Sequence, residues 1–247
     1  MIKGIIFDYG GTIDTNSVHW SEVIWEGFQH SAVPVSKEQF RMAYVHGERS
    51  LAKFPLVQPC HNMLDLLRIK LNIETSFLVD AHLWKGMEGK GMEAERLVIS
   101  NSIAQYCYDY VLRTLSVARP IIAQLSQQYP LVLVSNFYGN INTILKDFKL
   151  DGFFQDVIES SVVGIRKPDP RIFSLGVDAL NLNAEEVIVV GDSFSKDIVP
   201  ANSLGCKTVW VKGKGWGDEK VDMTMPSCVI NSIEDLPHAI HICTDDV

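Results

Sequence analysis

The chain is poor in cysteine. Its five, Cys60, Cys107, Cys206, Cys228 and Cys243, are odd in number, far apart and contain no C-x-x-C pair among 247 residues. That argues against a disulfide framework or a zinc ribbon and for reduced thiols in a packed interior. A basic surplus is also missing: 22 Lys and Arg stand against 30 Asp and Glu, a net charge of -8, so the chain is not built to neutralise a phosphate backbone and no nucleic-acid partner is expected. Long apolar runs are absent. The first, Ile5-Ile6-Phe7, stops at Asp8, too short for a signal-peptide core, and no run approaches a membrane span. The expectation is a cytoplasmic protein without a membrane partner. There is no internal repeat and no low-complexity segment.

What is present is enough apolar residue, 47%, to bury one large domain or two. Lys3 to Phe7, isoleucine-rich and stopped by Gly10-Gly11, reads as a buried strand of a parallel sheet with Asp8 at its carboxyl end. A helical period follows, with Trp20, Val23, Ile24 and Phe28 on one face and Asn16 or Ser17 as its cap. Ser36-Lys-Glu-Gln39 is a capping box ahead of Phe40, Ala43 and Tyr44, and Leu64, Leu67 and Leu71 mark another helix. Lys85 to Gly91 is a glycine-rich break, and Leu97 to Leu115 carries one long helix. From Pro120, placed at a helix start, helices alternate with strands at Leu131–Val134, Val157-Ile158, Val187–Val190 and Thr208–Val211. The simplest architecture is a doubly wound parallel α/β sheet made of residues 1–14 and 118–247, interrupted after its first strand by an all-helical insert of residues 15–117. The acidic surplus lies in the sheet segments; the insert is near neutral.

Ligands of such sheets bind beyond the carboxyl ends of the strands. Four polar clusters fall there: Asp8; Ser135-Asn136; Arg166-Lys167-Pro-Asp-Pro170; and Asp192 with Asp197 five positions on. Carboxylates converging from separate strands stay ionised cheaply only around a cation. Mg²⁺, a hard ion that takes carboxylate and phosphate oxygens, suits the set, with a lysine and a serine hydroxyl for the same anion. Together they suggest phosphoryl chemistry.

Asp8-Tyr-Gly-Gly-Thr12, Ser135-Asn136, Lys167-Pro168 and Gly191-Asp192-Ser-Phe-Ser-Lys-Asp197 resemble the four ordered motifs of the haloacid dehalogenase (HAD) superfamily, and the insert resembles its helical cap on a Rossmann-like core. The resemblance implies a Mg²⁺-dependent hydrolase of a small phosphorylated metabolite. Asp8 would be the nucleophile that becomes an aspartyl phosphate. Thr12, Ser135 and the Asn136 backbone would bind phosphoryl oxygens, and Lys167 would hold Asp8 and the phosphate. Asp8, the Gly10 carbonyl and Asp192 would bind Mg²⁺, with Asp197 supporting the metal through an outer contact or water.

One departure stands out. HAD phosphatases carry a second aspartate two residues after the nucleophile as general acid and base; here that position is Gly10. Loss of such a group removes about 10² to 10⁴ in rate. Slow turnover, a leaving group that needs no proton, or a replacement acid among Asp14, Tyr9 and His19 would follow. A non-catalytic Mg²⁺-dependent phospho-ligand binder or regulator is the rival from another class. The metal-free dehalogenase branch would not need Asp192 and Asp197. A phosphonate hydrolase, which also lacks the second aspartate, would need a cap lysine for a Schiff base, and Lys53 is the best placed, though a surface lysine is the simpler reading. Lys212-Gly-Lys-Gly-Trp-Gly217 could cradle phosphate but is more simply a surface loop. His238, His241 and Cys243 lack a second ligand pair for zinc. Trp20, Trp25 and Trp84 read as helix-packing core, with one or two at the substrate pocket.

Overall fold

Strand order follows from burial. A computed structural model describes residues 1–89, 91–213 and 221–245, and its core is a six-stranded sheet of β1 (Gly4–Phe7), β2 (Leu131–Ser135), β3 (Asp156–Glu159), β4 (Val187–Gly191), β5 (Lys207–Val211) and β6 (Cys228–Ile230) in the order β3-β2-β1-β4-β5-β6. All pairings are parallel, with Ile6 opposite Val132 on one side and Val189 on the other. β1, β2 and β4 are buried throughout, which is why they read as unbroken apolar runs. Alternate residues serve opposite faces: Ile5 and Phe7 join one apolar cluster with Leu133 and Val190, while Ile6 joins another with Val132, Val189 and Phe173.

Between β1 and β2 the chain builds only helices: α1 (Trp20–His30), α2 (Lys37–Lys53), α3 (Met63–Asp80) and α4 (Met92–Ser126). The sheet's larger cluster continues into them through Phe28, Phe40 and Leu71, and into the connection between α3 and α4 through Trp84. The remaining helices, α5 (Ile141–Asp147), α6 (Ser160–Val163), α7 (Arg171–Leu180), α8 (Val199–Ser203) and α9 (Leu236–Asp245), connect or follow the strands.

The expected Ser36–Gln39 capping box opens α2. Elsewhere the chain departs from expectation. α1 starts at Trp20, capped by the His19 ring, whose Nδ1 accepts from the Ser21 N–H at 3.1 Å. Asn16 and Ser17 instead take positive φ, and Asn16 ties the turn to the C-terminal segment, its Nδ2 donating to Ser232 Oγ at 3.1 Å and its Oδ1 accepting from Ile233 N at 2.8 Å. Pro120 lies inside α4 rather than at a helix start. Proline costs a helix interior about 3 kcal/mol, and burial of Ala118, Ile122 and Leu125 on either side outweighs it. One 35-residue rod therefore runs from the helical insert to the sheet, across the expected boundary at 117/118. β6 and α9 were not expected. Cys60 is exposed, unlike the buried Cys107, Cys206 and Cys243. Among the described residues no helix is long and apolar enough to cross a membrane.

Candidate active site

The carboxyl ends of β1, β2 and β4 meet at one edge, and the polar residues immediately beyond them line a cavity of about 1030 Å³. Asp8 follows β1, only 6% exposed, with its N–H bound to the Val190 carbonyl of β4 at 2.9 Å. Lys167, on the loop between α6 and α7, is 4% exposed and lies between two acids: Nζ donates to Asp8 Oδ1 at 2.6 Å and to Asp197 Oδ1 at 2.7 Å. Burial works against its charge, but Asp197 and Asp8 outweigh burial and hold its pKa above the ordinary value. The Asn136 side chain fixes the lysine's backbone, Nδ2 donating to the Lys167 carbonyl at 3.1 Å and Oδ1 accepting from the Lys167 N–H at 2.9 Å. The sequence points only to the Asn136 backbone; the side-chain clamp is a second role that local pattern does not signal.

Asp192 follows β4. The Thr12 hydroxyl sits between the two strand-end acids, 3.1 Å from Asp8 Oδ2 and 3.2 Å from Asp192 Oδ1. Asp197 is presented by a π-helical turn, Phe194–Ile198, and its Oδ2 accepts from the Ser193 N–H at 3.0 Å. Close approach here demands glycine twice: a Cβ on Gly11, whose φ is +99°, would collide with the Asp192 carboxyl, and one on Gly191 with Asp197.

Asp8, Asp192 and Asp197 each bring one carboxylate oxygen within 4.8 Å of the others. Three acids around one lysine leave an acidic surplus. Burial first, then the neighbouring carboxylates, push Asp8 up to about 6 and Asp192 well above the usual range. With all three ionised, such a hard-oxygen set is short of two positive charges, which fits a divalent cation such as Mg²⁺. Among the described residues no other group of three metal-ligating side chains comes together, so His238, His241 and Cys243 on α9 form no such cluster.

Gly10 lines the cavity too. A Cβ there would meet nothing closer than Trp20 Nε1, at 4.0 Å, so the space of the missing second aspartate is open. Of the three candidate replacements, Tyr9 is fully buried outside the cavity lining, whereas Asp14 and His19 both line it. Asp14 Oδ1 accepts from Gly11 N at 2.7 Å and Oδ2 from Trp20 Nε1 at 3.0 Å. Burial raises it to about 7. Burial, with Lys196 and Lys70 nearby, lowers His19 to about 4, so its ring is neutral near pH 7.

Ser135 is buried at the end of β2 and lines the cavity. Helices α2 and α3 roof it, contributing Tyr44, Glu48, Met63, Leu66, Leu67 and Lys70. Lys53 is exposed, with its ammonium over the Phe54 ring and no place in the lining. Lys70, whose partner Glu48 lies on another helix and leaves no local signal in the sequence, is a cap lysine that lines the site. Trp20 lines the cavity, Trp84 is core, and Trp25 packs on Phe40. Of the 212–217 loop, Lys212 and Gly213 line the cavity; residues 214–217 lie outside the described residues.

A family model for haloacid dehalogenase-like hydrolases matches residues 2–205. Glyceraldehyde 3-phosphate phosphatase of Pyrococcus abyssi is 44% identical over 64 residues, 26% of this chain and 27% of that protein. Pyrophosphatase PpaX of Listeria monocytogenes is 32% identical over 129 residues, 52% of this chain and 59% of that one. The chain thus spans less than two thirds of the length of these curated relatives. The solved HAD-hydrolase YfnB of Bacillus subtilis, described as bound to magnesium, shares the fold with a TM-score of 0.58 at 21% identity, over 96% of this chain and 97% of that one. The family match takes in the helical cap and the first four strands of the sheet, most of the chain, and carries one conclusion: the chain belongs to the haloacid dehalogenase-like hydrolases.

Proposed function

We propose that the protein is a Mg²⁺-dependent phosphatase of a small phosphorylated metabolite, with Asp8 as nucleophile. The observation that carries this is Lys167 buried between Asp8 and Asp197 beside an otherwise uncompensated Asp192. A carboxylate attacks a phosphate dianion only where positive charge offsets the repulsion. Lys167 supplies part of that charge and aims an Asp8 oxygen. Attack by Asp8 forms a carboxyl–phosphorus bond as the ester P–O bond breaks; water then hydrolyses the aspartyl phosphate. Thr12, Ser135 and the Asn136 N–H hold the phosphoryl oxygens. Asp8, Asp192 and the Gly10 carbonyl would hold Mg²⁺, with Asp197 supporting from behind. When bound, the ion supplies the remaining positive charge for the phosphoryl group. The names of the relatives, a sugar-phosphate phosphatase and a pyrophosphatase, support the phosphate class.

Without a carboxylate at position 10, proton transfer to the leaving group is the weak step. Asp14, lining the same cavity with a carboxyl raised to about 7, is the group best placed to take it over. A panel of phosphate esters with Mg²⁺ tests the assignment: turnover or an isolable phosphoenzyme, abolished by Asp8→Asn, is expected. No reaction with any ester, and no phosphoenzyme, would contradict it.

The open space at Gly10 favours a second reading, a Mg²⁺-dependent phospho-ligand binder that does not turn over. Calorimetry showing tight metabolite binding without product would select it. Phosphonate hydrolysis loses its lysine: Lys53 is outside the cavity, and Lys70 is held protonated by Glu48 rather than free to form a Schiff base.

A further inference from the structure

The roof of the cavity carries a second charge cluster, a buried lysine paired with a half-buried glutamate, that phosphoryl transfer leaves without a role. Lys70 on α3, 6% exposed, forms an ion pair with Glu48 on α2, and its ammonium lies 4.4 Å from the centre of the Tyr44 ring. The Tyr138 hydroxyl, on the loop after β2, donates to the other Glu48 oxygen at 3.2 Å. Desolvating the Lys70 ammonium costs several kcal/mol that a half-exposed partner such as Glu48 repays only in part, and an apolar residue of the same volume avoids that cost. The neighbouring roof residues Met63, Leu66 and Leu67 are apolar. A charged pair in that setting is poorly explained by stability, and both of its members face the cavity.

One turn along α3, Glu74 is fully buried against Gly47, and neither carboxyl oxygen has a hydrogen-bond partner. Burial lifts it to about 8, so it is neutral near pH 7. Lys70 is then balanced by Glu48 alone. Although burial opposes ionisation of Glu48, Lys70 and Tyr138 overcome it and keep its pKa low. The floor of the cavity is an acidic cluster short of positive charge; the roof is a neutral pair presenting ammonium donors and a carboxylate acceptor.

Hydroxyl groups donate and accept at once, and so match both ends of such a pair. A second phosphate or carboxylate would meet the ionised Glu48 and be repelled. Arg49, Arg166, Lys196 and Lys212 also line the cavity but are exposed, where water and salt screen them; they act on approach more than on discrimination. We propose that Glu48 and Lys70 read the leaving group, selecting a phosphate monoester of a hydroxylated, otherwise uncharged carbon skeleton, a polyol or sugar, whose carbon face packs on Met63, Leu66 and Leu67. This rests on the phosphoryl reading of the floor and names the other half of the substrate.

Calorimetry on the full chain carrying Asp8→Asn, in Mg²⁺, measures binding without turnover. The ligands are glucose 6-phosphate, ribose 5-phosphate, glycerol 1-phosphate, pyrophosphate and inorganic phosphate. At least one of the three hydroxylated esters should bind tenfold or more tighter than pyrophosphate, and adding Glu48→Gln should cut that preference about tenfold, the scale of one charge-assisted hydrogen bond. If Glu48→Gln unfolds the cap, Glu48→Asp, which keeps the charge and shortens the reach, should lower the preference in the same direction. Pyrophosphate binding as tightly as the best ester overturns the proposal. So does a Glu48 variant that weakens every ligand in equal proportion, which marks a purely structural pair. Failure of all five ligands, inorganic phosphate included, overturns the phosphoryl reading itself and the proposal with it.

Discussion

Two charge clusters line opposite sides of one cavity, and they are built differently. At the sheet edge, Asp8, Asp192 and Asp197 converge and Lys167 pairs with Asp8 and Asp197, three acids to one base. In the helical roof, Lys70 pairs with Glu48 while Glu74 stays protonated, one to one. A surplus of buried acid is a place waiting for a cation; a balanced pair is a place for a ligand without net charge. Burial alone distinguishes neither. What distinguishes them is whether the charges inside sum to zero, and on the proposal above that difference would divide the substrate into a charged half and a neutral one.

The sharpest way to break the comparison is to remove each lysine. Lys167→Met leaves Asp8 and Asp197 buried without their cation, which should cost about 3 to 5 kcal/mol of stability and lower turnover by at least about 10³-fold, as loss of a residue acting as part of a catalytic unit does. Added Mg²⁺ should recover part of that stability by binding the folded state. Lys70→Met should destabilise less, because the Glu48 side chain is 35% exposed and keeps Tyr138 as a partner, and Mg²⁺ should not restore what it loses. Thermal melts with and without Mg²⁺ compare the two; equal rescue of both variants would erase the distinction.

Gly10→Asp sharpens the floor. The space beside Gly10 admits a side chain, so a restored acid and base should raise turnover by about 10²-fold or more, measured with any ester the wild type hydrolyses. An unchanged or slower rate would show that proton transfer is not the weak step. The neighbouring Gly11→Ala should abolish activity, since its methyl group would occupy the Asp192 carboxyl's position.

The smallest effect is in the roof. Glu74 has a folded pKa of about 8 against an ordinary 4.5. Between those values the unfolded chain has released its proton while the folded chain retains it, so this residue lowers stability progressively as pH rises from about 4.5 to 8, and no further above. Glu74→Met should remove that component and leave the protein more stable than wild type at pH 8 by on the order of 1–3 kcal/mol, the cost of burying an unpartnered polar group. Denaturant melts at pH 5 and pH 8 check it: a difference between variant and wild type that does not grow with pH would mean that Glu74 is ionised in the folded state.

Most of the floor is legible in the sequence because Asp8 and Asp192 follow strands, Ser135 ends one and Lys167 lies one short helix beyond another, and a parallel sheet delivers strand ends to one edge. Asp8, Ser135, Lys167 and Asp192 therefore needed only local pattern and order. The roof is not. Glu48 and Lys70 sit on different helices, 22 residues apart, and nothing local tells a buried ionic pair from two solvated side chains; Lys53 was singled out in the cap and Lys70 was not. Pro120 misled for a similar reason, since the packing of Ala118, Ile122 and Leu125 overrides a local helix-breaking signal. Asn16 was read as a cap because its tie to Ser232 and Ile233, more than 200 residues on, has no local trace.

Titration of the metal-free protein with Mg²⁺ by calorimetry, wild type beside Asp192→Asn, tests the floor most directly. One ion per chain, bound at least tenfold more weakly by the variant, is the predicted result. Equal affinity in the two proteins, or no binding by the wild type, would contradict the claim that the strand-end acids converge to hold a cation.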